Sequence, residues 1–155
     1  MKRLALIALV AIGFSSCTTT EYLYNWGKPK DENNYTRYEE LAYKFYDRQS
    51  PESICELLCL YESLTANPGG VRGEVPPGLC AEYGYLLLQT DTPAIFIQYA
   101  TSKQKKQFGG VSEYGAFFRE KGMEMLNRET TLYPESKTFL TPIIESFNDK
   151  QDEED

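Results

Sequence analysis

Apolar residues recurring every three or four positions, cut at intervals by proline and glycine, confine this chain to packed helices. From residue 35 the pattern runs Tyr35, Tyr38, Leu41, Ala42, Phe45, Tyr46. Ser50-Pro51-Glu52 then has the form of a helix start, with serine as N-cap and proline in the first turn. The next helix carries Ile54, Leu57, Leu58, Tyr61 and Leu64 on one face and stops at Asn67-Pro68-Gly69-Gly70, after which 71–77 reads as loop. Pro77 is expected to open a third helix, with Leu79, Tyr83, Leu86 and Leu87 inward and Gly84 in its middle. A mid-helix glycine costs about 1 kcal/mol against alanine, so a second helix is expected to approach closely there. Thr92-Pro93 repeats the cap-and-proline start. Ile95-Phe96-Ile97 would suit a short strand, but the cap before it and the polar run Ser102 to Gln107 favour one helix over 94–108. Ser112 is expected to cap a long helix to Leu132, and Tyr133-Pro134-Glu135-Ser136 to end it. A last helix holds Phe139, Leu140, Ile143, Ile144 and Phe147, with a kink expected at Pro142. The fold class is all-α: about six helices, joined by short connections into antiparallel hairpins.

The two ends read differently. Lys2 and Arg3 precede the apolar run Leu4 to Phe14, then Ser15-Ser16-Cys17. A basic start, a short apolar stretch and small residues before a cut site describe a secretory signal, too short to remain as a membrane span. Phe-Ser-Ser-Cys resembles a bacterial lipobox, with phenylalanine where leucine is usual. That resemblance implies a lipid on Cys17, which becomes the first residue of the mature chain. Threonines rather than aspartate follow it, which by the sorting rules of Gram-negative envelopes implies the outer membrane. No acidic run of the kind seen in some surface-exported lipoproteins follows the cysteine, which favours the periplasmic side. The expected organisation is a lipoprotein signal peptide at 1–16, a lipidated tether and lead-in loop at 17–34, a helical domain at 35–148, and a disordered acidic tail at 149–155.

Composition removes whole classes of chemistry. The chain has 155 residues and no histidine. Ser-His-Asp and Cys-His catalysis, histidine-bound zinc and an imidazole base are therefore absent. A formal charge of −7 lacks the basic face that nucleic-acid phosphates require. Gly69-Gly70-Val71-Arg72-Gly73 and Gly109-Gly110 lack the context of a phosphate loop and read as helix breaks. Glu39 with Glu40, or Glu124 with Glu129, are the carboxylate pairs that an acid–base glycan hydrolase would need. Solvated helix faces are their ordinary use. No metal or cofactor is expected, and the reading is non-enzymatic. Lys103, Lys105 and Lys106 form the one basic cluster, suited to solubility or to anionic headgroups.

Beyond Cys17 the thiols are Cys55, Cys59 and Cys80. Cys55 and Cys59 stand one helical turn apart. Outside the cytoplasm one of them can bridge to Cys80; alternatively all three are buried core thiols. A zinc site lacks the usual paired spacing.

Gly84 in the third helix, with Gly122, Leu126 and Pro134 in and after the long one, resembles a tetratricopeptide hairpin, with 92–112 inserted where a tight turn would stand. Tyr24-Asn25-Trp26-Gly27, Tyr38-Glu39-Glu40-Leu41-Ala42-Tyr43-Lys44, Val75-Pro76-Pro77-Gly78-Leu79, Gly84-Tyr85-Leu86-Leu87-Leu88-Gln89 and Leu132-Tyr133-Pro134-Glu135-Ser136 together resemble the small bacterial lipoproteins of domain of unknown function 4810. That resemblance implies an accessory lipoprotein of an envelope assembly or secretion system, with no catalytic residues. It also implies a partner in another envelope protein, similar to the curli secretion channel lipoprotein. Hairpins of this kind offer a groove for peptides or helices. Tyr43, Tyr46, Tyr83 and Tyr85 are the expected contacts, with Trp26 as a further aromatic candidate; core packing is the alternative use of each. A purely structural spacer at the membrane is the remaining alternative.

Overall fold

The computed structural model of the protein describes residues 21–27, 32 and 34–152. The signal segment, Cys17, most of 28–34 and the end of the tail at 153–155 lie outside the described residues. Every regular element described is helical. They are α1 (Arg37–Arg48), α2 (Pro51–Ala66), α3 (Leu79–Leu87), α4 (Thr92–Tyr99), α5 (Ser102–Gln107), α6 (Tyr114–Leu132), a 3-10 turn at Pro134–Ser136, and α7 (Lys137–Asp152). No described helix is long and apolar enough to cross a membrane.

Capping chemistry sets the boundaries and moves several from their expected places. α1 begins after Thr36 rather than at Tyr35. The Thr36 hydroxyl accepts from the Glu39 amide at 3.2 Å, and the Glu39 carboxylate accepts from the Thr36 amide at 2.7 Å. Ser50 caps α2 as expected, accepting from the Ser53 amide at 3.2 Å with Pro51 in the first turn. α3 begins at Leu79 rather than Pro77, because the prolines belong to a turn closed by the Leu79 amide on the Pro76 carbonyl at 3.2 Å. Gly78 precedes the helix at φ +86, where a side chain would be strained. Likewise, α6 starts at Tyr114 after Glu113, and Ser112 does not cap it.

The expected single helix over 94–108 is two. Ala100 is extended, and Thr101 starts a second capping box with Gln104. At the other end, α7 continues through Pro142 to Asp152, so 149–152 are helical where a disordered tail is expected.

Two antiparallel hairpins form the body: α1 with α2, and α3 with α6. In the second, Glu129 lies beside Gly78, Leu126 beside Gly84, and Gly122 beside Leu88. The numbers rise along α3 as they fall along α6, so the pair is antiparallel across the inserted α4 and α5. The insertion closes one end of the core. Phe96 on α4 sits 4.9 Å from Phe108, 5.1 Å from Tyr114 and 5.2 Å from Phe118 between ring centroids, in the tilted and edge-on geometries that aromatic quadrupoles favour. Leu41, Leu57, Leu58, Leu79, Leu87, Met125 and Leu126 fill the interior between the hairpins.

Candidate functional site: a tyrosine face

α1 and α3 both pack on α2, and a file of aromatic rings ties the three together. Trp26, in the lead-in segment, stands 5.0 Å from Tyr38 on α1. Tyr38 stands 6.3 Å from Tyr61 on α2, and Tyr61 5.7 Å from Tyr83 on α3. Two carboxylates hold the file in register. Glu82 on α3 accepts the Tyr38 hydroxyl at 2.8 and 3.0 Å and the Tyr61 hydroxyl at 2.7 Å. Glu62 on α2 accepts the Tyr83 hydroxyl at 2.7 Å. Burial first, with the neighbouring carboxylates adding to it, pushes the Tyr38, Tyr61 and Tyr83 phenols well above their ordinary range.

Other tyrosines of the same two outer helices meet solvent. Tyr43 and Tyr46 on α1 and Tyr85 on α3 are exposed at 63%, 68% and 53%. Tyr85 follows Glu82 by one turn, as Tyr46 follows Tyr43, so each pair shares a helix face. Tyr46 lies close enough to Glu82 that the carboxylate adds to the rise in its phenol pKa, after desolvation. Tyr35 stacks edge-on against Tyr43 at 5.6 Å.

Of the five aromatic candidates, three are therefore on the surface and two are not. Tyr83 is fully buried, its ring in the core and its hydroxyl on Glu62, and is corrected here to a packing residue. Trp26 is half-buried against Tyr38, the packing use rather than an open contact.

The lead-in segment is strapped to the body rather than trailing from it. The Val71 and Arg72 amides donate to the Tyr22 and Leu23 carbonyls at 3.0 and 3.1 Å, and the Tyr38 amide to the Trp26 carbonyl at 3.2 Å. The Arg72 guanidinium donates to the Tyr24 hydroxyl at 2.7 Å and also lies over the Tyr24 ring. Between this strap and the Gly69-Gly70 loop lies a cleft of about 560 Å³, lined in part by Tyr22, Tyr24, Asn25 and Trp26.

The carboxylates suggested by the sequence serve the fold. Glu39 closes the α1 capping box. Glu40 pairs with Arg37 at 2.6 Å and Lys44 at 2.9 Å, which holds its carboxyl below the usual range. Glu124 pairs with Lys121 at 3.3 Å. Glu129 is 2% exposed, and its Oε1 accepts the Gly78 amide at 2.7 Å, so a side chain of α6 caps the start of α3. Nothing near it in sequence announces that cap, which joins residues 51 apart.

The three described cysteines are free thiols: Cys55 and Cys80 are buried and Cys59 is half-buried. Burial pushes Cys55 and Cys80 up to about 11 and Cys59 up to about 12. None of the three is bonded to another in the structure: Cys55 and Cys80 lie in the core, and Cys59 packs against it. Among the described residues no three acidic or thiol groups gather as metal ligands.

Lys105 spends its charge on the Ile97 carbonyl at 2.6 Å, which caps α4 and separates it from Lys103 and Lys106.

Among the described residues the fold is all-helical, built of antiparallel hairpins, with exposed tyrosines on α1 and α3. Compared with protein-family models, curated proteins and solved structures, the chain matches none.

Proposed function

We propose that this protein is a lipid-anchored, non-enzymatic scaffold of the bacterial envelope. Its tyrosine face would grip another envelope protein. The observation that carries the reading is the exposure of Tyr43, Tyr46 and Tyr85 on α1 and α3, two helices that the Tyr38–Glu82–Tyr61 hydrogen bonds tie together across α2. Tyrosine offers a large contact area at low conformational cost, and such residues dominate binding when they sit on a rigid support. The hairpin arrangement and the Gly84, Gly122 and Leu126 contacts support the tetratricopeptide resemblance. That resemblance, with the likeness to domain of unknown function 4810, supports an accessory role in outer-membrane assembly or secretion. The absence of histidine from the whole sequence and the structural use of Glu39, Glu40, Glu124 and Glu129 support the non-enzymatic reading.

A photoreactive residue in place of Tyr85 tests the proposal in cells. One discrete covalent adduct with another envelope protein is expected, and the same residue at exposed Glu120 on α6 should give none. No adduct from Tyr85, or the same adducts from both positions, would reject it. Anchoring is tested separately: labelled fatty acid should attach to the wild type and not to Cys17→Ala.

A further inference from the structure

Glu82 is half-buried among rings, and its hydrogen bonds come only from uncharged phenols. Among the described residues no cation pairs with it. The cations of α1 are engaged elsewhere: Arg37 with Glu40 and Glu56, Lys44 with Glu40, Arg48 with Asp47. Glu82 thus holds a place where negative charge stands beside aromatic rings, without a positive counterpart among the described residues.

A carboxylate beside aromatic faces is the arrangement that recognises a cationic head group. The ring quadrupoles attract the charge from the side while the carboxylate meets it directly. Tyr38 and Tyr61 hold the Glu82 carboxylate by their hydroxyls, Tyr46 on α1 lies near enough to feel its charge, and Tyr85 stands exposed one turn further along α3. Each carboxylate oxygen accepts two hydrogen bonds, and two tyrosine hydroxyls leave capacity for a further donor.

We infer that Glu82, with Tyr46 near it on α1 and Tyr85 one turn along α3, receives an arginine or lysine side chain from a basic segment of the partner protein. This rests on the reading of the tyrosine face as a binding surface and adds the chemistry of what binds there. Charge complementarity selects the occupant. An acidic segment would bring like charge to Glu82, and a purely apolar one would bury that carboxylate uncompensated.

The test uses the full chain and three alanine-based hexapeptides carrying two arginines, two lysines or two glutamates. Trp26, the single tryptophan, stacks on Tyr38 and supplies the fluorescence signal. The cationic peptides should bind and the glutamate peptide should not. Glu82→Gln keeps an oxygen for the tyrosine hydroxyls but loses the charge, and should weaken binding at least tenfold. Glu120→Gln, an exposed acid on α6, should leave it unchanged and so control for overall charge. Tyr46→Ala, on the exposed rim, should weaken binding severalfold without disturbing the fold. Equal affinity of Glu82→Gln and Glu120→Gln, equal binding of the acidic peptide, or no cationic binding at millimolar concentration would each overturn the inference. A Tyr85 crosslink to a segment without arginine or lysine would also overturn it, yet leave the binding face standing. Absence of any Tyr85 crosslink would remove the face itself.

Discussion

Gly84 of α3 and Gly122 of α6 meet backbone to backbone. A Cβ added at Gly84 would lie 2.7 Å from the Gly122 carbonyl oxygen, and one added at Gly122 would lie 3.0 Å from the Gly84 carbonyl oxygen. The Gly84 obstacle is main chain, which cannot swing aside as a side chain does. Gly84→Ala should therefore force the helices apart and cost about 1–3 kcal/mol as overpacking, outweighing the gain of up to ~1 kcal/mol in helix propensity. Gly115, also in α6, has nothing within 4 Å of its would-be Cβ. Gly115→Ala should leave stability unchanged or raise it by up to ~1 kcal/mol. Urea unfolding of the two variants decides the matter: equal midpoints would mean that the glycine contact does not set the helix spacing.

The same contact shows why part of the fold was legible in the sequence. A mid-helix glycine is locally unfavourable, so its place in the pattern points to a neighbour. Periodicity likewise put Tyr83 inward with Leu79, Leu86 and Leu87, and the structure agrees with that pattern rather than with a surface role for the residue. The split between α4 and α5 also has a local signal, the Thr101 and Gln104 capping box, which polar composition alone obscures. Glu129 and Glu82 are different. Their partners lie 51 residues away at Gly78 and 44 away at Tyr38, and periodicity describes which face is buried without saying what meets it. The pattern offers Tyr43, Tyr46 and Tyr85 as contact candidates with core packing as the alternative, and it does not announce the Glu82 carboxylate near Tyr46.

Glu129 gives the fold a pH dependence with a definite sign. Desolvation raises its pKa above the ordinary 4.5, only partly offset by the amides of Gly78, Ala81 and Cys80 that favour the anion. Its Oε2 is buried without a hydrogen-bond partner. The folded chain therefore holds this proton more tightly than the unfolded chain. Its contribution to stability is fully present below pH 4.5 and is lost as pH rises through the folded value. Glu129→Gln should remove that decline, so the stability difference between wild type and variant should shrink or reverse with rising pH over this window. Glu129→Ala leaves the Gly78 amide without its acceptor and should cost about 1–3 kcal/mol. Denaturant titrations from pH 4 to pH 7 provide the measurement. A Glu129→Gln curve parallel to wild type throughout would contradict the burial argument.

The three core thiols should behave as inert side chains. A cysteine reacts as its thiolate, and burial raises Cys55, Cys59 and Cys80 to between about 11 and 12. At pH 8 the folded protein should take up alkylating reagent slowly at all three. In denaturant, without reductant, all three should react promptly. Peptide mass mapping separates them from Cys17. Prompt labelling at two of these positions only after reduction would show a bridge between them.

Gly70 holds the lead-in strap against the body. It lies at φ +79, and an added Cβ would come within 2.7 Å of the Leu23 carbonyl oxygen and of the Tyr24 Cα. Both the backbone conformation and the space thus demand glycine. Gly70→Ala should displace the strap, break the Val71 and Arg72 bonds to Tyr22 and Leu23, and open the cleft beside Asn25 and Trp26. The strain is of order 1–3 kcal/mol, and detachment relieves it locally rather than by unfolding the hairpins. Arg72→Ala removes the Tyr24 clasp while keeping the loop backbone, and should give a milder form of the same effect. The expected result for Gly70→Ala is red-shifted Trp26 emission and faster proteolysis between residues 21 and 27, with helix content by circular dichroism unchanged. Because Trp26 also stacks on Tyr38, a variant with wild-type emission and wild-type proteolysis would place the hold on the segment in that ring contact rather than in the glycine loop.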